Sequence, residues 1–172
     1  ELIKLCNWDA PNLLIFSENV FGPLIYYSHL GIIIISLFFG LFVFLNNKKE
    51  HTNRILFYLT CAISAWLFSD LVLWATDKPE LSMFFWSLEI ILEPLIYVLT
   101  LRFFYVFIDK HEDIKAKIIS YSLLIPTFIL TPTKLALTGF DLTNCDRVAI
   151  EGFLPKYGYF IEIIIVIWIV LL

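Results

Sequence analysis

Glu89 and Glu93 stand one helical turn apart inside LSMFFWSLEIILEPLIYVLTLRFFYVFI, residues 81–108, a stretch long enough to cross a bilayer. Acids in a membrane span are rare and costly, and they mark functional positions by default. Asp70 and Glu162 lie in two other apolar runs. Counted from the span ends at about 1.5 Å per residue, Asp70 falls about 8 Å below the outer surface, Glu89 about 11 Å, Glu93 about 17 Å and Glu162 about 6 Å. The i, i+4 spacing puts Glu89 and Glu93 on one helix face, and Tyr97 and Thr100 continue the stripe. A stripe of this kind is expensive against lipid, so it is expected to face the bundle interior or a water-filled cavity open to the outside.

Two chemistries fit these acids. In one, Asp70, Glu89, Glu93, Tyr97 and Glu162 line an outward pocket for a small cation, a proton or a basic ligand, and proton uptake could itself be the signal. In the other, each acid is neutral or bonded to Tyr, Trp, Ser or Thr neighbours and only fixes helix packing.

Other chemistry is poorly supported. There is no HExxH, no Cys-x-x-Cys, no Gly-rich phosphate loop and no Gly-x-Ser-x-Gly. His29 lies near the outer end of a span, and His51 and His111 lie in polar turns. His29 is expected to bond to a neighbouring helix or to water, and its grouping with Glu89 or Glu93 lacks a second histidine. No catalytic residue, metal set or cofactor is therefore assigned, and any enzyme activity would reside in domains outside this stretch. Cys61 sits in a span, whereas Cys6 and Cys145 fall on the same outer side, where a disulfide or two free thiols are both open.

The elements that must position the acids follow from composition. Hydrophobic residues make up 60% of the 172 and charged residues 16%, against about 45–50% and about 25% in soluble domains. The apolar residues gather in long runs, which specifies an all-α polytopic transmembrane helix bundle. The net charge of −4, with lysines scattered among short loops, offers nothing to nucleic acid. Residues 1–23 read as an outer interfacial segment and residues 24–172 as the bundle, with spans at 24–45, 55–75, 81–108, 118–137 and 158–172. Pro126 and Pro132 are expected to bend the fourth span. The fifth is short of the ~20 residues that a crossing needs. The chain also opens on Glu1 and closes inside an apolar run, so a longer protein is expected.

Orientation comes from the basic residues. Lys48, Lys49, Arg54, Lys110, Lys115 and Lys117 crowd into the 18 residues of the turns 46–54 and 109–117, while segments 1–23, 76–80 and 138–157 hold four Lys/Arg in 48 residues. Basic residues concentrate on the cytoplasmic side, so those two turns face inward and the N-terminus lies outside. Arg102, near the inner end of the third span, is expected to snorkel to headgroups.

Several residues together carry a resemblance. Asn53-Arg54-x-x-Phe57 opens the second span after a basic turn, and Ala65-Trp66 follows. A short outer turn leads to Trp86 and then Glu93-Pro94-Leu95 in a long third helix, and another basic turn succeeds it. From Leu24 onward the chain resembles the first five helices of the N-terminal seven-helix membrane sensor region of bacterial histidine kinases. The resemblance implies a sensor input module in a bacterial cytoplasmic membrane, continued by two more helices and by cytoplasmic signalling domains. The lipid bilayer is then the first partner, and a second copy of the chain is a candidate partner. A cation- or proton-coupled transporter or channel subunit, and a structural subunit of a membrane complex, are the alternatives that the acids leave open.

Overall fold

The computed structural model describes residues 23–75, 79–108, 114–141 and 148–172. Helices α1 (Pro23–Asn46), α2 (His51–Ala75) and α3 (Pro79–Phe107) form an antiparallel series. Two short helices follow, α4 (Ile114–Ser122) and α5 (Ile125–Leu130), then a hairpin of β1 (Leu137–Asp141) and β2 (Val148–Glu151), and a long α6 (Phe153–Leu171). Cys6, Lys110 and Cys145 lie outside the described residues, as does most of the proposed interfacial segment.

Among the described residues four helices are long and apolar enough to cross a membrane: α1, α2, α3 and α6. On α1, Ile35 is 69% and Phe38 71% exposed, an apolar face that suits lipid contact. The chain is a multi-pass membrane protein.

The inner junction of α1 and α2 is built by the Asn53 and Phe57 of the second span. The Asn53 side-chain amide donates to the carbonyls of Val43, at 3.1 Å, and Asn47, at 3.2 Å. It thereby serves carbonyls around the α1 C-terminus that lack helical donors. Phe57 stacks on Phe44 with ring centroids 4.9 Å apart. Higher up, Gly40 lets the two helices close: a Cβ there would run into the Thr60 side chain, whose hydroxyl already donates to the Phe57 carbonyl at 2.9 Å. Small residues permit such approaches between membrane helices. Gly40→Ala is expected to lower thermal stability in detergent by about 1–3 kcal/mol, the usual cost of overpacking. Thr60→Gly in the same chain should recover part of the loss, and a double-mutant cycle with no coupling would contradict the contact.

Helix α3 is the central element. It packs along α2 through Leu59, Ala62 and Leu99, and along α6 through Val98, Leu101, Ile161 and Ile165. Rising along α3, Ile90 meets Leu154, then Val98 and Leu101 meet Ile161 and Ile165, and the Trp168 indole donates to the Tyr105 hydroxyl at 2.9 Å. Helix α6 therefore runs parallel to α3, and the chain between them must return across the bilayer. The α4–α5 pair makes that return, since Tyr121 lies at the level of Arg102 while Phe128 and Thr131 face Met83 and Ser87.

This crossing departs from the expected single span over 118–137. The helix begins at Ile114, breaks in a turn at Leu123-Leu124 and stops at Leu130, and Leu137 is already a strand residue. The two prolines explain the difference. Pro126 sits in the first turn of α5, where a missing N–H costs nothing, and Pro132 follows its last turn. They delimit a new helix instead of bending an old one.

Two further expectations are corrected. Helix α6 begins at Phe153 and not at Gly158, because Pro155 occupies its first turn and does not stop it. Arg102 does not snorkel: it is 8% exposed, bonds to the Tyr121 hydroxyl and lies 5.2 Å from the centre of that ring. Helix α4 covers it, and a guanidinium can satisfy itself on an aromatic face.

The segment between the fourth and fifth expected spans contains the β1–β2 hairpin, which pairs antiparallel with Leu137 opposite Glu151 and a bulge between Leu137 and Gly139. The Gly152 N–H donates to Ala136 O and the Leu154 N–H to Leu135 O, both at 2.8 Å, tying the start of α6 to the turn before β1. Trp86 of α3 meets Phe140 of β1 edge-on, with centroids 6.0 Å apart.

Candidate functional site

The earlier start of α6 sets the depth of Glu162. Nine residues now separate it from the helix start, about 14 Å at the helical rise, instead of the 6 Å expected. It comes level with Glu89 and Glu93, which α3 presents across the α3–α6 seam. All three line one cavity of about 180 Å³ between α2, α3, β2 and α6, together with Trp66, Trp86, Ile90, Pro94, Glu151, Pro155, Gly158 and Tyr159.

Each wall has a local cause. The i, i+4 spacing aims Glu89 and Glu93 to the same side of α3. Pro94, fully buried, lacks the N–H that would serve the Ile90 carbonyl one turn back, so the helix passes through with one internal bond missing beside the cavity. Gly158 leaves the α6 wall open, and a Cβ built there meets no atom within 4 Å. Glu151 reaches in from the end of β2, with the Tyr159 hydroxyl donating to it at 3.5 Å, a long contact.

Three polar atoms on the side chains around this cavity are not satisfied by the protein. Among the described residues, Glu89 Oε1, Glu162 Oε1 and Trp66 Nε1 are sealed from solvent and have no hydrogen-bond partner. A buried polar atom left unpaired costs about 1–3 kcal/mol, so three around one space need an explanation outside packing. Among the described residues no basic side chain lines the cavity. Among the described residues no three His, Cys, Asp or Glu side chains converge closely enough to hold a metal ion.

The other candidate residues lie elsewhere. Asp70 is not in the cavity wall: its Oδ2 accepts a 2.8 Å hydrogen bond from His29 Nε2, joining α2 to α1. Tyr97 packs against the Val98, Leu101, Leu124, Ile161 and Ile165 cluster, and the Thr100 hydroxyl donates to its own helix at Ile96 O, 2.8 Å away. Of the basic residues expected to face inward, Lys48, Lys49, Arg54, Lys115 and Lys117 are all exposed and cluster at the end where α1 meets α2 and α3 leads to α4.

Sequence reasoning missed Trp66, Trp86, Glu151 and Tyr159 as wall residues. Tyr159 and Glu162 stand i, i+3 on α6, a signal that was available. Nothing in the spacing links Trp66 to Trp86, or Glu151 to either; the tertiary fold alone brings them together. The residues that carried the family resemblance divide into two groups here. Asn53 and Phe57 fasten α1 to α2, whereas Trp66, Trp86, Glu93 and Pro94 border the cavity.

A family model described as the N-terminal 7TM region of histidine kinase matches residues 12–172. No curated protein and no solved structure matches the chain.

Proposed function

Because the chain belongs to the family of N-terminal 7TM regions of histidine kinases, we propose that it is the stimulus-receiving membrane part of a two-component sensor histidine kinase in a bacterial cytoplasmic membrane. The observation that carries this reading is the cavity on α3. Glu89, with an unpaired oxygen, and Glu93 sit at its outer half on the same 29-residue helix that reaches the other end of the bundle. Glu89, Glu93 and Glu162 are the input residues in this reading. Asp70, held by His29, and Tyr97, packed behind the cavity, support the helices that carry them.

The mechanism is a shift between two packings. A ligand held between α3 and α6 binds one arrangement of those helices better than the other and moves the equilibrium by that difference. Because α3 and α6 run parallel, a change of their seam at the outer level is felt at Tyr105 and Trp168 near the inner level. A second copy of the chain fits this scheme, since histidine phosphorylation between two subunits would let the seam movement alter their alignment.

The test is phosphorylation of the full-length protein in lipid nanodiscs with labelled ATP. Acid-labile, base-stable phosphate is expected, the signature of phosphohistidine. Its rate should change when Glu89→Gln is introduced. A full-length protein that takes up no such phosphate would refute the kinase assignment.

A further inference from the structure

The cavity names the chemistry of what would fill it. Its wall carries four acidic side chains, Glu89 and Glu93 on α3, Glu151 on β2 and Glu162 on α6, and among the described residues no basic side chain lines it. The space they enclose therefore favours a cation. A metal ion fits badly, because oxygen ligands must close to about 2.0–2.6 Å around one point. The carboxylates are instead spread around a void, and among the described residues no three acids converge on a point.

The sealed atoms narrow the class further. Glu89 Oε1 and Glu162 Oε1 are acceptors without donors. A quaternary ammonium carries no N–H and would leave both of them unpaired. A primary ammonium carries three donors and can serve several at once. Trp66, Trp86 and Tyr159 add aromatic surface, suited both to a cation and to a short methylene stem. At about 180 Å³ the cavity is smaller than the ~300–1,000 Å³ that drug-sized ligands occupy, which limits the stem to a few carbons.

We propose that the cavity between α3, β2 and α6 is a binding site for a short aliphatic amine with one or two primary ammonium groups, held by Glu89, Glu93, Glu151 and Glu162 against Trp66 and Trp86. Two ammonium groups suit the distribution of acids over three elements better than one. Gly158 is the residue that keeps the space open. The inference deepens the sensor reading and rests on it for its consequence, but binding and phosphorylation are separate measurements, so the two can fail independently.

The experiment is equilibrium binding of labelled 1,4-diaminobutane to the full-length protein in phosphatidylcholine nanodiscs, a zwitterionic lipid that does not itself concentrate amines. Saturable binding is expected, displaced by unlabelled n-butylamine and not by tetramethylammonium or Mg²⁺. Gly158→Leu fills the void with a side chain and should weaken binding by more than about tenfold, as an introduced clash does. Glu151→Gln removes one charge from the hairpin, outside the helix seams, and should weaken binding by about tenfold. Thermal transitions of both variants close to that of the parent show that they are folded. Absence of saturable binding overturns the proposal, as does equal competition by Mg²⁺ or binding unmoved by a folded Gly158→Leu. Saturable, Gly158-dependent binding that leaves phosphorylation unchanged supports the site and counts against the sensor reading alone.

Discussion

Gly152→Ala is expected to lower the stability of the protein by about 3 kcal/mol, at the upper end of overpacking effects. The cause is steric and local. A Cβ at this position would enter the backbone carbonyls of Leu135 and Lys134, which cannot rotate aside as a side chain can. The φ angle of −83° is ordinary for any residue, so the effect owes nothing to backbone conformation. Relief of the collision must part β2 and the start of α6 from the turn before β1. That breaks the 2.8 Å bonds from Gly152 N–H to Ala136 O and from Leu154 N–H to Leu135 O. It also moves Glu151 and Pro155, two walls of the acidic cavity. Gly158→Ala is the matching control six residues on. Its Cβ meets nothing within 4 Å, and alanine should stabilise the helix interior by up to about 1 kcal/mol relative to glycine. Thermal unfolding in one detergent compares the two directly. Equal transitions would contradict the described docking of the hairpin.

The second large effect is functional. Glu89→Gln with Glu162→Gln is expected to abolish the response to stimulus while raising stability by about 1 kcal/mol. Each carboxyl group now holds a sealed oxygen without a donor, and a buried acceptor left unpaired is a net cost to the fold. An amide keeps the shape and supplies donors that the neighbours Glu93 and Glu151 can accept. Gain of stability with loss of function is the mark of a site kept strained for a ligand. Packing residues behave oppositely, losing stability when changed. A thermal transition that falls in the double variant, with signalling intact, would assign these acids to packing.

Much of the bundle was legible in the sequence because lipid imposes length and hydrophobicity on each crossing. The first three spans and the side on which Lys48, Lys49 and Arg54 gather follow from apolar runs and basic turns alone. The α4–α5 break was not legible, since a proline in an apolar run can bend a helix or begin one, and only the packing of Tyr121 and Leu124 against α3 and α6 selects the second. The same ambiguity at Pro155 placed the start of α6 five residues late and Glu162 too shallow. The stripe of Glu89 and Glu93 was visible from spacing, but its partner walls were not. Periodicity reports which residues share one helix face; it is silent on which face of another helix will come opposite. Asp70 shows the converse, an acid at the right depth whose partner, His29, turns it toward α1.

The broken crossing also bears on how the protein is made. Helices of 9 and 6 residues are too short to partition into a bilayer by themselves, where ~20 apolar residues are needed. At the break the Leu123 carbonyl takes a side-chain donor in place of a backbone one, and such a group needs protein around it and not lipid. The Tyr157 hydroxyl, from α6, is what donates to Leu123 O, at 3.1 Å. The segment that must return the chain to the outer face is thus completed by a helix synthesised after it. Stable insertion of the α4–α5 pair therefore depends on α6, whose Tyr157 supplies that last donor.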